Sequence, residues 1–148
     1  MTLLLTFFLN LPAQAMIDPF LGSWSATSGK PGIYIHEVLE TSTISNGLCK
    51  SVTMKLIKVS EEKLDLIVKY TCGNNTGGLE LLGLKAHGTS LFYGDNSIGV
   101  DRGKSLFIKY QGIEFSLSVA RQPHPYLGIY QQTEKNLFEL KVQLGPSN

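Results

Sequence analysis

Three histidines, two cysteines and a scatter of carboxylates are the side chains here that could carry out chemistry. A hydrolytic triad needs a nucleophile, a base and an orienting acid that converge in space. His36, His87 and His124 stand in unrelated settings. His36 shares the face of an alternating stretch with Tyr34 and Val38. His87 precedes Gly88 in a turn, and His124 is held between Pro123 and Pro125. No G-x-S-x-G elbow is present to mark a nucleophile. Each histidine reads as structural or solvent-facing, so no catalytic residue is expected.

Two further constellations imitate binding loops. Gly99-Val100-Asp101-Arg102-Gly103-Lys104-Ser105 has three residues between its glycines, where a phosphate loop needs four and a following helix. An alternating stretch follows instead, so a charged loop is the better reading. Asp95, Asn96 and Asp101 lack the spacing and the turn glycine of a calcium loop. No metal and no cofactor is expected. Asn74-Asn75-Thr76 is a glycosylation sequon, meaningful only in a eukaryotic secretory route.

Cys49 and Cys72 have no second Cys or His at metal-ligand spacing, which leaves a disulfide or two buried thiols. The choice depends on the compartment. Residues 1–15 read as a signal peptide: an uncharged run Leu3–Leu9, then Ala13-Gln14-Ala15, with a cut expected before Met16. No Lys or Arg precedes the run, and a buried N-terminal strand is the alternative. The run is too short to span a bilayer. Export to a periplasm or the cell exterior would make Cys49–Cys72 one disulfide, closing a loop of about 24 residues and contributing roughly 3 kcal/mol.

Residues 16–148 are expected to form one domain. The chain has 148 residues, 43% hydrophobic and 17% charged, with a net charge of +1. That balance offers no field for nucleic acid, and no membrane span is expected once the leader is removed. A lipid-facing outer-membrane barrel is disfavoured because most stretches carry Lys or Glu on one face.

From residue 19 onward the hydrophobic period is two, broken by turn residues. This predicts an all-β antiparallel meander of about eight to ten strands, most simply a closed barrel, with a β-sandwich as the alternative. Leu106–Tyr110 and Ile113–Val119 flank Gln111-Gly112, a type I′ hairpin signal. The register pairs Tyr110 with Ile113, Ile108 with Phe115 and Leu106 with Leu117. In the last hairpin a loop at Glu134-Lys135-Asn136 would set Tyr126, Gly128 and Tyr130 against Leu144, Val142 and Leu140. In the cysteine hairpin, Lys50–Val59 and Leu64–Cys72 join their apolar faces only if the paired numbers sum to an even value. Cys49 and Cys72 sum to an odd one, so a disulfide demands a bulge. Further strands are expected at Phe20–Ala26, Ile33–Ile44, Leu79–Ala86, Ser90–Tyr93 and Ser97–Asp101, with Gly73–Gly78 as the longest loop.

The motif Phe20-Leu21-Gly22-Ser23-Trp24 resembles the F-x-G-x-W opening of the calycins, the lipocalin-like small β-barrels. The resemblance implies that Trp24 closes one barrel end against a late basic residue, Arg121 in preference to Lys141. The chain lacks the long first loop, the helical pair and the several tryptophans of particular calycin branches, so no ligand carries over.

Two functions are therefore expected. The first is an exported, non-enzymatic barrel binding a small apolar ligand, lined by Met54, Leu56, Leu66, Val68, Ile108, Phe115, Tyr130 and Leu140. All of these suit a plain core equally well. The second is a secreted or periplasmic protein-interaction module, an inhibitor or adhesion domain, acting through loops such as Gly73–Gly78, Asp95–Gly103 and Pro123-His124-Pro125-Tyr126. A pull-down and the state of the interior would separate the two.

Overall fold

A computed structural model describes residues 17–27, 29–119 and 123–147. The expected leader, 1–15, and Arg121 lie outside the described residues. After a short 3-10 turn, Asp18–Phe20, come eleven strands. They are β1 (Gly22–Ala26), β2 (Ile33–Val38), β3 (Thr43–Lys58), β4 (Lys63–Cys72), β5 (Asn75–His87) and β6 (Ser90–Tyr93). β7 (Asn96–Asp101), β8 (Ser105–Tyr110), β9 (Ile113–Ser118), β10 (Tyr126–Gln132) and β11 (Asn136–Pro146) follow.

All eleven lie in one antiparallel sheet, and from β2 to β11 each strand pairs with the next. The two ends of this meander then join. β11 pairs with β2 through Asn136–Lys141 and with β1 through Leu144–Pro146. β3 pairs with the same two strands through Thr43–Leu48 and Thr53–Leu56. β1 and β2 thus lie end to end in one position between β3 and β11. An antiparallel ring needs an even number of positions, and that sharing reconciles the requirement with eleven strands. Joining the ends leaves no long strand edge free to recruit another chain.

The alternating pattern decides the inside. Leu64, Leu66, Val68 and Tyr70 of β4 are buried together with Leu106 and Ile108 of β8, Phe115 and Leu117 of β9, and Phe138, Leu140, Val142 and Leu144 of β11. The β8–β9 register is the expected one: Tyr110 opposite Ile113, Ile108 opposite Phe115, Leu106 opposite Leu117. Gln111 and Gly112 have φ of 49° and 78°, the two left-handed residues of a type I′ turn. The β3–β4 ladder pairs Met54 with Val68 and Leu56 with Leu66, and its register shifts between Cys49 and Ser51. The expected bulge is therefore present, with Lys50 as its unpaired residue, and it lets Cys49 and Cys72 join as a disulfide.

Several expectations are corrected. The last hairpin is displaced by one residue: Tyr126 pairs with Gln143, Leu127 with Val142, Ile129 with Leu140 and Tyr130 with Glu139. The loop begins at Thr133, whose hydroxyl accepts the backbone N–H of Lys135 and Asn136 at 3.3 and 3.0 Å. That adds one residue to the loop, and a one-residue shift turns every side chain to the other face. Leu127 and Ile129 are buried, whereas Tyr130 points outward. The stretch Ile33–Ile44 is a hairpin, turning at Leu39–Ser42, where Ser42 adopts a φ of 52°. Gly73–Gly78 is no long loop: only Gly73 and Asn74 turn, because Cys72 already pairs with Asn75. Most of Asp95–Gly103 is strand β7. Asn96 and Asp101 stand at opposite ends of that strand, too far along it to share a cation.

Candidate functional site

The two ends of the ring differ. At the end where β1 begins, the 3-10 turn folds Ile17 and Phe20 into the core, 1% and 0% exposed. Trp24 donates its indole N–H to the Phe20 carbonyl at 3.0 Å, fixing the turn against the first strand. The Trp24 ring lies 5.8 Å from that of His124, inclined at 53°. An imidazole is therefore the described aromatic neighbour of Trp24 from the late chain. The expected partner Arg121 is outside the described residues. Lys141 faces outward beside Glu139 at 3.1 Å, and that hydrogen bond holds its ammonium above the usual lysine range.

The segment Pro123–Tyr126 is pinned at this end. The Gln143 side-chain amide donates to the carbonyls of His124 and Pro125, both at 3.1 Å. Leu144 N–H donates to the Pro125 carbonyl at 2.9 Å. Pro125 is buried, Pro123 exposed, and Tyr126 already belongs to β10. This candidate interaction loop is thus a strapped crossover, with Pro123 and Tyr126 offered to solvent.

One group at this end is under electrostatic stress. Asp101 is 1% exposed. Its Oδ1 accepts the Gly103 N–H at 2.9 Å, while Oδ2 has no partner. Burial raises its carboxyl above the usual aspartate range, and the Gly103 hydrogen bond opposes the shift. Among the described residues no cluster of His, Cys, Asp or Glu could hold a metal.

The opposite end is open. Here β2, β4 and β11 bring Tyr34, Tyr70 and Phe138 inward. Phe138 stacks on Tyr70 with centroids 5.0 Å apart at 11°, and on Tyr34 at 6.3 Å and 22°. Tyr93 and Tyr110 meet edge to face at 5.4 Å on the other side of the interior. The disulfide ties β3 to β4 beside the stack, and burial pushes the Tyr70 phenol up. Gly73 has a φ of 61°, and a side chain there would collide with the Tyr34 hydroxyl. The glycine thus supplies the turn and leaves room for the ring.

Above Tyr70 and Phe138 lies a cleft of about 450 Å³. Its rim carries His36, Asn75, Thr76, Gln131, Thr133 and Asn136. His36 Nε2 donates to Asn136 Oδ1 at 3.1 Å, and Asn75 Nδ2 donates to the Cys72 carbonyl at 3.3 Å. No Lys, Arg, Asp or Glu belongs to this lining.

The candidate lining residues divide accordingly. Met54, Leu56, Leu66, Val68, Ile108, Phe115 and Leu140 are brought together, at most 2% exposed, as mutual core contacts. Tyr130 is corrected to the outer surface, where it borders a groove of about 270 Å³ with Glu139 and Lys141. Residue-by-residue reading missed Tyr70, Phe138, His36, Gln131 and Asn136 as one group. They come from four strands, and the displaced last hairpin hid the inward turn of Gln131, which pairs with Phe138.

The fold and this end together define a class: a closed antiparallel β-sheet, stapled by one disulfide, shut at one end and clefted at the other. No family model matches the chain, and no curated protein matches it. The F-x-G-x-W resemblance therefore stands on Phe20, Gly22 and Trp24 alone.

Proposed function

We propose that the protein is an exported, non-enzymatic binding protein that takes a small ligand with an apolar face at the open end of its sheet. The observation that carries this reading is the aromatic floor of Tyr70 and Phe138 beneath a cleft of about 450 Å³. Ligand sites are concave, partly aromatic, and furnished with a few polar groups that orient the guest. The Cys49–Cys72 bond supports export, since such bonds persist in oxidising compartments. The packed middle of the interior favours the open end over the centre of the sheet as the place for a ligand.

Chemical-shift mapping on the oxidised chain, against a library of small apolar and amphiphilic molecules, tests the reading. Binders should perturb the rings of Tyr70 and Phe138. A screen in which no compound moved them would overturn it.

A second reading has its own observation. On the outer face of β2 and β3, Ile33 and Leu48 pair directly and are 59% and 63% exposed, with Ile35 and Ile44 beside them. Such a stripe suits a protein partner, and a protein-interaction module would use it rather than the strapped Pro123–Tyr126. Ile33→Lys with Leu48→Lys should abolish co-purification of a partner from the exported fraction. Recovery of the same partner by this variant would exclude the stripe.

A further inference from the structure

We infer that the open end is a site for an uncharged saccharide; this rests on the reading that a small ligand binds there. The floor of the cleft is an aromatic stack, Tyr70 on Phe138. Its rim is made of side-chain amides and hydroxyls with the His36 imidazole, groups that both donate and accept. The Gln131 amide, the Thr76 hydroxyl and the Tyr70 hydroxyl make no hydrogen bond to any described residue. His36 and Asn136 are fixed by their mutual bond at 3.1 Å, and this holds the Asn136 amide in place at the rim.

Three ligand chemistries can be weighed against this lining. A purely apolar guest would strip water from the amides and hydroxyls and return nothing, a cost of about 1–3 kcal/mol for each group left unsatisfied. An anion or a cation would find no permanent opposite charge, since the lining holds no Lys, Arg, Asp or Glu and its one imidazole, His36, is engaged with Asn136. A sugar ring matches both halves: its C–H groups meet the edges of the Tyr70 and Phe138 rings, whose faces are turned to each other, and its hydroxyls exchange hydrogen bonds with Gln131, Thr76 and Asn136. The arrangement is pre-organised, because Tyr34 is seated beside Gly73 and Phe138 is held between two tyrosines. Little ordering is then left for the ligand to impose.

The test uses the oxidised full chain and ligand-observed NMR. The probes are maltose, cellobiose, lactose and N,N′-diacetylchitobiose, with 1-aminoanthracene as an uncharged apolar probe. At least one disaccharide should bind and perturb the Tyr70 and Phe138 rings. Gln131→Ala should weaken that binding about tenfold, the loss of one well-made polar contact. Thr76→Ala, at an exposed position, serves as a second variant if Gln131→Ala misfolds. Tyr130→Ala, on the outer face, should leave affinity unchanged. If 1-aminoanthracene binds at these rings and no disaccharide does, the saccharide assignment falls while the small-ligand reading survives. If no probe perturbs the rings, both fall. Saccharide binding that is indifferent to Gln131→Ala and Thr76→Ala, both shown to be folded, would also overturn the assignment.

Discussion

Tyr70 and Phe138 stack 5.0 Å apart and 11° from parallel, although β4 and β11 share no hydrogen bond. The contact crosses the interior, so it ties together two parts of the ring that the backbone ladder does not join there. It also supplies the floor of the cleft. Phe138→Ala should therefore cost about 3 kcal/mol, as large aromatic truncations in a core do. Tyr130→Ala, on the opposite face of the same hairpin, should cost under about 1 kcal/mol. Urea denaturation of both variants checks the pair.

The disulfide closes a loop whose ends are 23 residues apart. Replacing both Cys49 and Cys72 with Ser should lower stability by about 3 kcal/mol, chiefly by freeing the unfolded chain. The bulge at Lys50 adds a second expectation. Removing Lys50 would restore an unbroken ladder with Cys49 still opposite Cys72. The deletion variant should therefore form the same disulfide, which mass spectrometry without reductant will detect.

Asp101 links stability to pH. Its folded carboxyl titrates above the usual aspartate range because it is buried. In the window between the unfolded and folded values the native state binds more protons than the unfolded one. Stability contributed by this group therefore falls as pH rises through that window. It is greatest below the ordinary carboxylate range. Asp101→Asn keeps an acceptor for Gly103 and removes the charge, so it should stabilise the protein by about 1 kcal/mol at pH 7. The advantage should shrink as pH is lowered. Denaturation of wild type and variant side by side, from neutral to acid pH, measures the difference. A constant difference would contradict the assignment to ionisation.

Trp24 is the only tryptophan, and it sits at the shut end. Trp24→Phe loses the bond to the Phe20 carbonyl and should cost about 1 kcal/mol. Its fluorescence should report unfolding but stay unchanged when a ligand enters the opposite end. A tryptophan shift on ligand binding, without loss of structure, would argue against a site at the open end.

Gly99 lies in β7 where a Cβ would run into the Phe107 carbonyl of the neighbouring strand. Backbone cannot yield as a flexible side chain can, so Gly99→Ala should cost about 2 kcal/mol or more. Gly88 has a φ of 62° but open space around it. Gly88→Ala should therefore cost only about 1 kcal/mol, from backbone strain alone. Thermal unfolding will rank the two.

Much of the sheet was legible locally. The period of two in Ile113–Ser118, the Gln111-Gly112 turn and the odd sum of Cys49 and Cys72 each state a near-neighbour constraint. Those constraints predict the β8–β9 register and the bulge. The last hairpin failed for an equally local reason. The Thr133 hydroxyl captures two backbone N–H groups and lengthens the loop, a contact that alternation alone does not reveal. The break at Leu39–Ser42 was hidden too, because Leu39-Glu40-Thr41-Ser42 contains no Gly, Pro, Asn or Asp to mark the turn.

The sequence by itself determined the class of fold, one hairpin register and the need for a bulge, since turn chemistry and side-chain alternation act over a few residues. Only the tertiary structure decided that β1 and β2 share one place between β3 and β11. It also decided which end is shut, and that Tyr70, Phe138, His36 and Gln131 meet. Those residues are far apart along the chain. Their meeting depends on how the sheet closes, which no run of neighbouring residues encodes.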